Sequence, residues 1–68
     1  MSEENKEQIL IRRKEVERLT SLSRSYIYAK MATGEFPKPV TLGTMSVAWI
    51  KAEVQEWIAS KIAERKAA

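Results

Sequence analysis

Cysteine and histidine are both absent from this sequence. Without cysteine there is neither a disulfide framework nor a cysteine-held zinc site, so folding must rest on packing alone. Without histidine the commonest general base and the commonest metal ligand are missing, and nine scattered carboxylates are the only groups left for either role. No Gly-rich phosphate loop takes their place, and 68 residues are too few to enclose a deep pocket. An enzyme, a metal site, a cofactor and a small-molecule ligand are therefore not expected. No run approaches the roughly 20 apolar residues of a membrane span. The acidic, polar stretch Ser2 to Gln8 lacks the basic and apolar regions of a signal peptide. The expected location is the cytoplasm, with no membrane partner.

What is present is enough apolar material, 44% of residues, for one small core in one domain. Residues 1–8 and 65–68 are expected to be flexible ends, and 9–64 one folded unit. The net charge of +3 is unevenly spread: residues 9–51 carry eight cations against three carboxylates, whereas 52–68 are balanced and 1–8 are acidic. A basic middle on a neutral body fits a phosphate-binding face and fits a solvated basic surface equally well.

Ile9-Leu10-Ile11, β-branched at alternate positions, reads as a brief strand or an extended lead-in. Val16 and Leu19, three apart with charges off their stripe, predict a short helix over Lys14 to Leu19. Thr20-Ser21-Leu22-Ser23 then brings three hydroxyls, which compete for backbone hydrogen bonds and favour a turn, with Ser23 as the next N-cap. Ile27 and Met31 give the second helix, 23–33, a narrow apolar stripe with a polar, aromatic and basic remainder, and Gly34 stops it. Phe36-Pro37-Lys38-Pro39 fits neither helix nor central strand. Val40-Thr41-Leu42 and Ser46 to Ile50 flank Gly43-Thr44-Met45 as a hairpin. From about Lys51, Val54, Trp57, Ile58 and Ile62 follow helical spacing and predict a final helix of roughly three to four turns.

A short helix, a hydroxyl-rich turn and a thinly striped second helix describe a helix-turn-helix, in which the first helix braces the second. The expected architecture is mainly α with a small β-hairpin: a winged helix-turn-helix whose hairpin near 40–50 is the wing. The second helix would then offer its leading end to the DNA major groove, about 12 Å wide. Ser23, Arg24 and Ser25 stand at that end, and Tyr26, Tyr28 and Lys30 extend the surface. Arginine suits the position because its planar fork bonds two acceptors on guanine or a phosphate. Lys38 and Thr44 are candidate phosphate contacts of the wing, and equally an ordinary exposed lysine and turn threonine. Trp49 and Trp57 fall in phase with apolar neighbours and read as core rather than as a base-stacking platform, and Phe36 reads as core packed where the second helix ends. Two-helix hairpins also abound in proteins that bind no DNA, so a protein-interaction module inhibiting a regulator competes with the DNA-binding reading.

Taken in order, Lys14-Glu15-Val16, Leu22-Ser23-Arg24-Ser25-x-Ile27-Tyr28, Gly34-x-Phe36-Pro37-x-Pro39, Leu42-Gly43, Val47-x-Trp49 and Glu53-Val54-x-x-Trp57-Ile58 resemble the AlpA family of phage and prophage transcriptional regulators. The resemblance covers residues 9–64. It implies a winged helix-turn-helix related to the MerR-type and excisionase domains, with double-stranded DNA as partner. It also implies a role either as a regulator near phage integration genes or as a recombination directionality factor that bends attachment-site DNA, alongside an integrase or a second copy of the chain. Three positions depart from the family's habit. Ser21 stands where glycine is common, at a cost of up to about 1–2 kcal/mol if the position needs positive φ. Ala29 and Met45 stand where the family often has arginine. With two cations missing, a shallow dependence of DNA affinity on salt is expected.

Overall fold

The computed structural model describes residues 8–65. Its elements are β1 (Leu10–Ile11), α1 (Arg13–Thr20), α2 (Arg24–Ala32), β2 (Val40–Gly43), β3 (Ser46–Ile50) and α3 (Lys51–Arg65). This is the mainly helical winged helix-turn-helix arrangement expected. Of the two ends expected to be flexible, residues 1–7 and 66–68 lie outside the described residues, and Arg65 is the last residue of α3.

The α1–turn–α2 unit is built from local hydrogen bonds. Helix α1 turns Val16 into the core and ties its outer surface with Arg13–Glu17 at 2.9 Å and Arg18–Glu15 at 2.6 Å. It ends at Ser21, which adopts φ 65° and ψ 20°, so that its N–H reaches the Glu17 carbonyl at 2.7 Å. Thr20 uses its hydroxyl twice, donating to the Val16 carbonyl at 2.8 Å and accepting the Leu22 N–H at 3.2 Å. Ser23 is extended and its Oγ accepts the Tyr26 N–H at 3.1 Å, which caps α2 as its position predicts. All four turn residues therefore find hydrogen-bond partners without help from distant elements.

Helix α2 ends in a Schellman motif. Gly34, at φ 78°, donates to the Met31 carbonyl at 3.1 Å, and Glu35 donates to the Lys30 carbonyl at 2.8 Å. A Cβ on Gly34 would meet nothing within 4 Å, so the left-handed backbone, not crowding, is what demands glycine there. Such motifs commonly add an apolar contact between the residues that Lys30 and Glu35 occupy; here an ion pair at 2.9 Å takes its place.

Strand β1 does more than lead in. It pairs antiparallel with β3, Leu10 opposite Ile50 and Ile11 opposite Trp49, so the hairpin becomes a three-stranded sheet ordered β1-β3-β2. The hairpin register shifts between Thr41 and Gly43, and the turn narrows to Thr44-Met45 with Gly43 inside β2. Gly43 is not at positive φ, so the irregularity, rather than a left-handed glycine, closes the hairpin.

One core cluster joins the unit: Ile11 from β1, Val16 from α1, Ile27 from α2, Phe36 from the crossover, Trp49 from β3 and Val54 from α3. Leu19, Leu22, Met31, Val47, Trp57 and Ile58 pack around it. Truncating a fully buried aliphatic side chain of this kind costs about 2–5 kcal/mol. No helix among the described residues is long and apolar enough to cross a membrane.

The positive φ of Ser21 gives a stability prediction. Ser21→Gly removes the left-handed penalty of about 1–2 kcal/mol and returns part of it as unfolded-chain entropy. A net gain of about 0.5–1 kcal/mol is expected, which for a domain this small raises the melting midpoint by several degrees. A thermal melt followed by circular dichroism checks it, and Ser21→Val should shift the midpoint the other way.

Candidate nucleic-acid interface

Only one α2 side chain, Ile27, is fully buried. Its ring of neighbours is presented outward: Arg24, Ser25, Tyr26, Tyr28 and Ala29 are exposed, as is Ser23 before them. Two cations lie over aromatic rings one helical turn away, Arg24 5.9 Å from the Tyr28 centroid and Lys30 5.3 Å from that of Tyr26. Tyr28 in turn sets its ring at 73° to that of Trp49, with 6.5 Å between centroids. The buried indole thus steadies Tyr28, and Tyr28 steadies Arg24, so the leading end of α2 is braced from the core outward.

The predicted site residues do not all share one environment. Ser23 accepts through its Oγ at the helix cap, leaving its hydroxyl hydrogen and one lone pair to offer. Lys30 is tied to Glu35, whose hydrogen bond and charge hold the ammonium above the ordinary lysine range while Lys30 holds the Glu35 carboxyl below its own. The depressed Glu35 contributes stability above its ordinary value of 4.5 that is lost as pH falls, and the raised Lys30 contributes below 10.5 what is lost as pH rises. Across neutral pH the pair is intact. Thr44 is exposed in the hairpin turn beside Met45, the most exposed of the large apolar side chains at 90%. Lys38 lies apart from these, lining an open depression of about 590 Å³ with Pro37, Glu53, Glu56 and Trp57. Two carboxylates share that lining with it.

A second cleft, of about 320 Å³, gathers residues that sequence reasoning left unassigned. Arg12, Arg13 and Lys14 at the start of α1 line it together with Tyr28 of α2 and Met45 and Val47 of the hairpin. The signal was present in the sequence as its only run of three consecutive cations. What the run lacked was a position relative to α2 and the hairpin, which only the folded chain supplies.

The family model described as Prophage CP4-57 regulatory protein (AlpA) matches residues 9–62, which is more than half of the chain. The chain is also similar to "Uncharacterized protein ORF88" of Enterobacteria phage P4, with 52% identity over 52 residues. That alignment takes in 76% of this chain, and the chain spans 59% of the length of that relative.

The Lys30–Glu35 pair offers a direct reading of whether Lys30 faces a polyanion. In Glu35→Gln the counter-charge is gone, so duplex DNA should bind severalfold more tightly at low salt, with the plot of log affinity against log salt steeper by about one unit. Fluorescence anisotropy over a salt series measures both. An unchanged slope would remove Lys30 from the contact surface.

Proposed function

Because this chain belongs to the AlpA family of prophage regulatory proteins, we propose that it is a sequence-specific double-stranded-DNA-binding regulator. In this reading residues 9–64 act as one unit, α2 enters the major groove, and the β2–β3 hairpin is the wing. The observation that carries the reading is the one-sided commitment of α2. Ile27 alone is fully buried, and the side chains at the leading end point away from the core. A helix packed on all sides could not be offered to a groove about 12 Å wide, and this one can.

The roles follow from the chemistry of each side chain. Arg24 makes no side-chain hydrogen bond or ion pair among the described residues and is held only over Tyr28, so its fork is available for guanine O6 and N7 or for a phosphate. Ser25 reaches base or backbone through its hydroxyl. Tyr28 keeps its ring against Trp49 and turns its exposed edge to the backbone. Ser23, Tyr26 and Lys30 flank these contacts along α2, and Thr44 meets phosphate from the wing. Lys38, beside Glu53 and Glu56, contributes a weaker and more distant charge.

Duplexes tiled across the DNA flanking the gene, titrated by anisotropy, test the reading. One of them should bind in preference to unrelated sequence, and Arg24→Ala should weaken that complex about 5- to 150-fold, the range of about 1–3 kcal/mol that a bidentate base contact carries. Indifference of the wild-type protein to every fragment would sink the proposal. Bending of the bound duplex, read from gel mobility as the site is moved along a fragment, would mark a directionality factor rather than a simple regulator.

A further inference from the structure

Helix α2 in the major groove and a hairpin over the neighbouring minor groove leave one strand of the duplex backbone with a forced route. The strand that separates the two grooves must pass between the two elements. In this chain the 320 Å³ cleft is lined by Tyr28 of α2 and by Met45 and Val47 of the hairpin, and the start of α1 completes its lining. We propose that Arg12 and Lys14 form a backbone clamp that seats this strand, with Tyr28 on the helix side and Met45 and Val47 on the hairpin side. The inference rests on the DNA-binding reading and names the contact that reading lacks.

The three cations of the cleft are not equivalent. Arg13 is half-buried and spends its charge on Glu17 at 2.9 Å within the same helix. Arg12 and Lys14 are exposed and enter no ion pair among the described residues. Two uncompensated charges two positions apart, on either side of Arg13 where the helix starts, suit two successive phosphates or one phosphate held from two sides. The remaining wall is also matched to a sugar-phosphate strand. Met45 and Val47 give apolar contact to deoxyribose, and the Tyr28 hydroxyl, on a ring held against Trp49, gives a donor to phosphate oxygen. No acidic side chain lines the cleft.

The clamp changes what Ala29 and Met45 mean. Both are exposed where the resembled family often has arginine, and both are neutral. Arg12 and Lys14 put two cations in the cleft that Met45 lines, so the groove between helix and wing is not left neutral. The salt dependence of binding should therefore not be shallow, because Arg12 and Lys14 together contribute about two units of slope.

The experiment compares wild type, Arg12→Ala/Lys14→Ala and Arg24→Ala by anisotropy, on the preferred duplex and on an unrelated one, over a salt series. For Arg12→Ala/Lys14→Ala the slope should fall by about two units, and affinity near 0.1 M salt by about tenfold or more, alike on both duplexes. Arg13→Ala should leave the slope nearly unchanged. Circular dichroism melts of each variant, with Arg12→Gln/Lys14→Gln as a milder pair, establish that the fold is retained. If wild type binds and Arg24→Ala weakens binding while the double variant keeps its slope, the clamp is wrong and the DNA reading stands. A loss confined to the preferred duplex would also overturn the clamp, since it would make these side chains base readers. Failure of wild type to bind any duplex overturns the reading on which the clamp rests.

Discussion

Two indole N–H groups closing on one short crossover hold the geometry of this molecule. Trp49 donates to the Pro37 carbonyl at 3.0 Å and Trp57 donates to the Glu35 carbonyl at 2.8 Å. Between those two carbonyls Phe36 is buried, its ring 4.9 Å from that of Trp57 and steeply inclined to it. The segment thus bridged leads from the end of α2 to the start of β2, so it sets how the exposed helix stands relative to the hairpin. A crossover containing Pro37 and Pro39 cannot be held by a backbone ladder, because proline supplies no N–H. Side-chain donors from β3 and α3 do that work instead. Leaving the buried Trp49 indole unpaired would cost about 1–3 kcal/mol, which makes that bond selective as well as cohesive.

Most of the fold was legible because its signals are local. The Ser23 cap, the Gly34 stop and the Val16 and Ile27 stripes each act within a few residues, and each stands where spacing placed it. Less legible was anything that depends on a partner far along the chain. Strand β1 is only Leu10–Ile11, and its role became definite through Trp49 and Ile50, some forty positions away. Trp49 and Trp57 read correctly as apolar, but nothing near them in sequence marks the carbonyls that their N–H groups find. Gly43 shows the reverse error: glycine suggested a loop residue, and the register shift absorbed it into β2.

The candidate interface divides in the same way. Exposure along α2 followed from the helical period, so Arg24, Ser25, Tyr26 and Tyr28 face outward as the pattern requires. Lys30 lies on the same helix, yet its charge is engaged by Glu35 through the geometry of the helix end, which no periodicity encodes. Lys38 precedes the hairpin in the chain, and the depression it lines is shared with Glu53 and Glu56 of α3, which no local pattern indicates. The run Arg12-Arg13-Lys14 was plain as composition and silent as position. Charge is visible in a sequence; what the charge faces is a tertiary property.

One strand stands outside the shared core. Every other element, and the crossover, supplies at least one member of the buried cluster, whereas all four residues of β2 are exposed. The helices, β1 and β3 are therefore interlocked and must be lost together, while β2 is held by its ladder to β3 and little else. Local opening of such an edge lies at the inexpensive end of a protein's opening free energies. The outer strand of the hairpin can thus adapt its path to a surface it meets without disturbing the interior, giving this small domain a compliant rim on a cooperative body. Its amides are the ones whose hydrogens would be surrendered to solvent first.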